Sequence, residues 1–599
     1  MGKENFVIAA GGTGAMCARA FIYMAAAGCA NNDDTYHILL VDKDKQSDAV
    51  TACENLLTDY QAMRIQMGRK DGTNTFPEVK VHKWNFTDEI VAEYHEQTGK
   101  PASDLENLTL KQLLNPQFDP TMDQILKTMY TPEELDTNLE KGFYGHPNIG
   151  SPVFDYVQAR FPRFLADQVK MADGTVRENT FMQDLRRVMT TGKAHVYLMG
   201  SLFGGTGATV IPNMVLALRS IKSNDPIPKD IGMTNLILGG SVIMPYFKLP
   251  VCPSDSVEAL STVSPADMKF EGQTKDALMY YHESNLLDNV MNLTLLGTSN
   301  LDVTSELFAR GGVQSQHFHV VIMLASVAAN RFFANRLGSM ATAVNVSPAA
   351  PVIPRKELLV WKALAENGGV YNTLTCDELD LTEEYKKMNQ FLRFSVVVGV
   401  YMRLLFDQSA DDVKHFAEVL GTCRQMGLEG KPSNQDIHKY YKEPVNQTAG
   451  LCKGFIKFLY DVALSGYDWS GYHVKTKKKS DEIDGMYVYS TTEAVAPVAP
   501  ALFHTRWVDL GNLNDLKELQ ELQDHKTLHE ICQSKTLNSI CSHPVLGRAT
   551  GKVETEYDQH IAKVYLEALQ DLRLVKTPFG VKEKNASFCQ IYDKIREKV

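Results

Sequence analysis

The sequence is poor in cysteine, carries no excess of positive charge and has no long apolar run, and each shortage excludes a class of protein. Ten cysteines are spread from Cys17 to Cys589 over 599 residues, with no Cys-x-x-Cys pair. That scatter argues against a disulfide framework and for reduced thiols in a cytoplasmic protein. Asp plus Glu number 72 against 61 Lys plus Arg, a net charge of −11. Coating a phosphate backbone requires a basic face, so nucleic acid is not an expected partner. Apolar stretches such as Ser395-Val-Val-Val-Gly-Val-Tyr401 fall well short of the ~20 residues of a membrane span. The chain opens Met-Gly-Lys-Glu and runs straight into a strand-like stretch, so no signal peptide is expected. It has no internal repeat and no low-complexity tail. No GxxxxGK[ST] motif occurs, which argues against a P-loop ATPase.

What is present is ample core material: 44% hydrophobic and 22% charged residues. The length exceeds what one growing core sustains, so at least two domains are expected. Residues 1–340 alternate short apolar runs with helical patterns. Strands are expected at Phe6–Ala10, His37–Val41, Val79–Val81, His195–Met199, Thr234–Ile243 and Leu293–Leu296. Helices are expected at Ala15–Ala27, Phe181–Met189, after Gly207 to about Ser220, near Thr274–Glu283 and at Gln316–Phe333. This alternation predicts an α/β fold with a parallel sheet covered on both faces. Residues 87–179 read as an insertion. Residues 341–599 read as a mainly helical C-terminal domain, with helices at Glu383–Phe406, Asn514–Ser534 and Glu556–Leu574. One β-hairpin is expected within Val474–Tyr489, turning at Asp484-Gly485.

Two glycine loops carry the chemistry. Gly11-Gly12-Thr13-Gly14 and Gly204-Gly205-Thr206-Gly207-Ala208-Thr209 each follow a strand and precede a helix. Glycine lets a chain turn tightly and lets phosphate oxygens approach the main chain. The helix that follows offers unpaired N–H groups and a positive dipole end. In an open parallel sheet both loops lie along one edge, so together they can close on one polyphosphate. Alone, the first loop also reads as a tight turn or as a dinucleotide motif. The dinucleotide pattern GxGxxG places its third glycine where this chain has Cys17, while Asp42, after the second strand, suits a ribose.

The stretch Leu202-Phe-Gly-Gly-Thr-Gly-Ala-Thr-Val-Ile-Pro212 resembles the signature loop of the tubulin/FtsZ superfamily, a strand followed by GGGTG(S/T)G and a helix. Phe203 replaces the first glycine and Thr209 the last. Other landmarks follow in order over roughly residues 5–340. Gly11–Gly14 resembles the first glycine loop, and Val242–Phe247 resembles the segment before the ribose site. Phe270-Glu271-Gly272, with Lys275 beyond it, resembles the ribose-contacting motif of the bacterial members. Asn300 resembles the residue that reads the guanine edge, and Gln314–Gln316 enters the core helix beside the base. Gly145-His-Pro-Asn-Ile-Gly150 suits a third phosphate loop. The chain departs from the family at Ala15, where bacterial members have Asn, and in an extra stretch between Phe247 and Phe270.

The resemblance implies binding of GTP or GDP with Mg2+, head-to-tail self-association into filaments, and hydrolysis completed by a neighbouring subunit. The family supplies the catalytic acid from an NxDxx(D/E) loop after the core helix, and no such loop follows Phe333. The nearest acids, Asp377 and Asp380, also read as a cluster favouring a helix N-terminus. Without that loop, a nucleotide-gated interaction protein of a bacterial conflict or signalling system, with an operon-encoded partner, stands beside the filament reading. An NAD-dependent oxidoreductase is the third reading. His529, Cys532, Cys541 and His543 offer four soft ligands for zinc, although buried cysteines and surface histidines account for them equally. Lys475–Lys479 reads as a solvated hairpin edge beside Asp481, Glu482 and Asp484.

Overall fold

The structure is a computed structural model. It describes most of residues 2–219, residues 236–248 and parts of 274–281. Beyond these it describes 292–296, 302–303, 318–334, 382–396, 434–465, parts of 482–487 and 574–584, and 592–593. Six parallel strands form one sheet: β1 (Glu4–Ala10), β2 (Thr35–Asp42), β3 (Glu78–Asn85), β4 (Ala194–Ser201), β5 (Leu236–Ile243) and β6 (Asn292–Leu296). Their order is β3-β2-β1-β4-β5-β6. Chain order therefore reverses between β1 and β4, which pair from Asn5↔His195 to Ala9↔Met199. This is the order of doubly wound nucleotide-binding domains.

Strands buried on both faces read as continuous apolar runs, and Phe6–Ala10 and Tyr36–Val41 are buried throughout. On one face lie α1 (Gly11–Ala26), α2 (Asp48–Gln66) and, further along the chain, the core helix Val320–Phe333. Helix α1 is small and apolar on nearly every side, the pattern of a helix enclosed by neighbours. Helix α2 buries Cys53, Leu56, Tyr60 and Met63, one stripe at three- and four-residue spacing.

On the other face lie α3 (Pro147–Gln158), α4 (Thr180–Thr191) and α5 (Gly205–Arg219). Phe6, Ile8, Leu39, Val41 and Trp84 of the strands share a core there with Phe181, Leu185, Val210, Ile211 and Met214 of these helices. The Asn179 side chain accepts from Met182 N at 3.3 Å and caps α4.

The core helix, α6 (Val320–Phe333), begins four residues later than the sequence suggested. His319 is extended at φ −116° and caps it, Nδ1 accepting from Val321 N at 3.1 Å. Helix α1 begins at Gly11, not at Ala15, so the first glycine loop is itself the first turn.

Two later helices, α7 (Thr382–Val396) and α8 (Asn434–Ser465), pack on the face carrying α1, α2 and α6. Tyr23 of α1 stacks on Phe458 with ring centroids 5.2 Å apart, and Phe76 meets Phe391 at 6.3 Å. Within residues 87–179 the described elements are the short helices Leu110–Leu114, Pro120–Met129 and Pro132–Leu135, α3, and the antiparallel pair Gln168–Lys170 with Val176–Glu178. Glu482–Ile483 pairs with Met486–Tyr487 around Asp484-Gly485, as the hairpin pattern predicts. A further antiparallel pair, Leu574–Thr577 with Gly580–Lys584, had no counterpart in the sequence reading. Residues 514–534 lie outside the described residues. Among the described residues no helix is long and apolar enough to cross a membrane.

Candidate nucleotide site at the strand reversal

At the point where strand order reverses, β1 runs into α1 and β4 runs into α5, so both helices start at the carboxyl edge of adjacent strands. Crevices at such reversals are where open α/β sheets hold their ligands. Gly11 turns with φ +70°, a conformation that side chains other than glycine rarely adopt. A Cβ placed on Gly11 would lie 3.2 Å from Thr206 Cβ and 3.3 Å from Gly207 N. The two glycine turns therefore touch.

Two other glycines set how closely the helices approach the sheet. A Cβ on Gly14 would lie 2.7 Å from both Ala9 C and Met199 O, and one on Gly207 would lie 2.7 Å from Ser201 N. These obstacles are backbone atoms, which cannot swing aside. Gly12, Thr13, Gly204 and Thr206 are half-exposed, while Gly11, Gly14, Gly205, Gly207, Ala208 and Thr209 are buried. The half-exposed residues of both loops therefore lie at the same edge of the sheet.

The electrostatics of this edge suit an anion. Neither α1 nor α5 has an acidic residue in its first turn, and the N-cap of α1, Ala10, contributes no side-chain cap. Helix N-termini left in this state present N–H groups and positive dipole ends. Apart from the half-exposed Thr13 and Thr206, the two turns offer main chain rather than side chains at this edge, an arrangement that can take an anion. Asp42, half-buried, ends β2 one strand away from Ala10.

A third arm comes from the insertion. A Cβ on Gly150 of α3 would lie 2.6 Å from Thr209 Oγ1 and 3.0 Å from Gly205 O. Thr209 is fully buried, and its Oγ1 has no hydrogen-bond partner among the described residues. Its carbonyl accepts from Asn213 Nδ2 at 2.9 Å, and Tyr281 Oη donates to Ala208 O at 3.0 Å. These bonds hold the first turns of α5 in place.

Sequence reasoning missed an aromatic wall beside the second loop. Phe203 meets Tyr246 at 6.0 Å between ring centroids, and Tyr246 meets His319 at 4.9 Å. Burial pushes the His319 imidazole down to about 3, so it stays neutral. The only sequence signal was Phe203 standing where the signature loop has glycine.

The structure sets Gly11 against Thr206 and Gly207, keeps Gly12, Thr13 and Gly14 in the first turn and Gly204, Gly205, Ala208 and Thr209 in the second, and places Asp42 at the same edge on the neighbouring strand β2. Glu271, Lys275, Asn300, Gln314, Asp377 and Asp380 lie outside the described residues. So do His529, Cys532, Cys541 and His543. Comparison with known proteins gives no family model, no curated protein and no solved structure that matches the chain.

Proposed function

We propose that this chain is a tubulin-like purine-nucleotide-binding protein that takes GTP or GDP at the β1–β4 edge. The observation that carries the reading is the contact of Gly11 with Thr206 and Gly207. A polyphosphate laid over Gly12, Thr13, Gly204 and Thr206 meets main-chain N–H groups of two helices at once, and no carboxylate of either first turn opposes it. Gly150 brings α3 against the second loop as a third wall. Half-exposed Tyr246, backed by the buried rings of Phe203 and His319, offers an aromatic face for the base, and Asp42 suits the ribose or a Mg2+ that screens phosphate charge.

In the filament form of this reading, a neighbouring copy completes the site and supplies the acid for hydrolysis. Positioning and charge stabilisation dominate attack on a terminal phosphate, so an isolated subunit hydrolyses slowly. A second form is a nucleotide-gated interaction protein. It is favoured by the packing of α7 and α8 on α1, α2 and α6, because α1 starts at the glycine turn itself. Ligand-induced ordering of that turn then biases the surface these helices present to a protein partner.

Chromatography of nucleotide released from freshly purified protein tests the common core of both forms. Guanine nucleotide supports it, whereas retained NAD assigns the crevice to a dinucleotide. Light scattering with GTP and with a slowly hydrolysed analogue separates the forms. Sedimentable polymer supports the filament, and tight binding without polymer supports the gated protein.

A further inference from the structure

A second set of polar side chains sits beneath α4, well away from the glycine edge. His37 of β2 is fully buried and pairs in register with Phe6, four residues short of Val41. At ~3.3 Å per residue this places it roughly 13 Å from that edge. Its Nε2 is 3.2 Å from Glu4 Oε2. Its Nδ1 is 3.4 Å from His82 Nε2 and 3.4 Å from Asp184 Oδ2. His82 Nδ1 is 2.9 Å from Thr180 Oγ1. The three converging atoms all lie within 4.8 Å of one another.

Of the three converging atoms only His82 Nε2 can carry a proton, and only in the tautomer whose Nδ1 accepts from the Thr180 hydroxyl. Arg187 Nη1 donates to Glu4 Oε1 at 2.8 Å, an ion pair that favours the charged carboxylate. An ionised Glu4 accepts from His37 Nε2–H, so the neutral His37 ring presents a lone pair at Nδ1. Asp184 Oδ2 presents another lone pair to the same atom. A separation of 3.4 Å is long for a hydrogen bond. It is close to the ~3.3 Å edge between neighbouring donors of a tetrahedral ion with bonds of ~2.05 Å.

We propose that His37 Nδ1, His82 Nε2 and Asp184 Oδ2 bind one transition-metal ion of the zinc class, with solvent in the fourth position. Glu4 and Thr180 orient the two imidazoles through their outer nitrogens, the usual arrangement behind metal-bound histidine. His82 and Asp184 are half-exposed and give the ion its path of entry. Nearby Arg187 is already neutralised by Glu4 and by Asp184 Oδ1, the latter at 2.9 Å. Lys80 is the other cation facing the cluster. The ligands come from β2, β3 and α4, so the ion ties α4 to one end of the sheet.

The test uses full-length protein stripped with chelator and titrated with Co2+. The expected result is one equivalent bound with visible d–d absorption and no thiolate-to-cobalt charge-transfer band. His82→Gln and Asp184→Asn each weaken binding at least tenfold, and Cys532→Ser leaves it unchanged. Absence of saturable binding overturns the proposal, as does a thiolate band that Cys532→Ser removes. Should either variant fail to fold, carbethoxylation of the wild-type protein with and without Zn2+ decides. Protection of His82 supports the site, and unchanged labelling overturns it.

Discussion

Gly150 and Thr209 meet where the insertion touches the second glycine loop, the glycine leaving the space that the Thr209 hydroxyl occupies. A Cβ added at Gly150 would come within 2.6 Å of Thr209 Oγ1. Gly150→Ala is therefore expected to press on α5 and to weaken nucleotide binding about tenfold. Thr209→Ala removes the nearest obstacle and restores part of that loss, the Gly205 carbonyl at 3.0 Å remaining. A double-mutant cycle on nucleotide affinity measures the coupling, which reaches ~1 kcal/mol or more for residues in direct contact. Additive effects would mean that the two walls act separately.

Gly207→Ala sets a new methyl group against Ser201 N at 2.7 Å. The obstacle is backbone, so the variant is expected to lose ~1–3 kcal/mol of stability and to bind nucleotide poorly. Gly192→Ala is the control, because its φ is −178° and nothing lies within 4 Å of the added carbon. Urea denaturation of both variants is the check. Equal behaviour of the two would remove the steric argument.

Much of this site was legible in the sequence, and the limits have physical causes. Apolar runs such as Phe6–Ala10 and His37–Val41 located strands buried on both faces, and turn glycines located the helices after β1 and β4. The start of α1 was missed because a run of glycines reads as a loop, whereas here the positive φ at Gly11 turns the chain sharply out of β1 and the helix follows at once. The contact of Gly150 with Thr209 joins residues far apart in sequence, and no local pattern encodes it. Phe203, Tyr246 and His319 come from three separate elements, so each alone reads as core. The same holds for His37, His82 and Asp184, which no ligand-spacing motif connects.

Arg331 and Glu384 form a buried pair linking α6 to α7. Arg331 Nε donates to Glu384 Oε1 at 3.1 Å, Nη2 donates to Oε2 at 3.1 Å, and both side chains are about 4% exposed. Glu384→Ala removes the carboxylate that neutralises a buried guanidinium and is expected to cost ~3–5 kcal/mol. Arg331→Met combined with Glu384→Leu removes both charges and is expected to cost less than either single change. Denaturation midpoints of the three variants decide this. A double variant worse than both singles contradicts it.

His319 makes stability sensitive to acid. Burial lowers its folded-state pKa to about 3, while an unfolded histidine titrates near 6.5. Between these values the unfolded chain takes up a proton that the folded one refuses. Its contribution to stability is therefore intact above about pH 6.5 and is lost as pH falls toward 3, by up to ~1.4 kcal/mol per pH unit. His319→Asn keeps an N-cap acceptor and removes the titration. Between pH 7.5 and 5.5 the wild type is expected to lose about 1.4 kcal/mol more than this variant. Parallel losses would place the acid sensitivity elsewhere.

Equilibrium titration of wild-type protein with fluorescent GTP, repeated with NAD as competitor and with Gly11→Val, tests the joint glycine cradle most directly. The account predicts saturable binding that GTP displaces and NAD does not, weakened at least a hundredfold by a side chain at Gly11. Undiminished binding by Gly11→Val, or displacement by NAD but not by GTP, would contradict it.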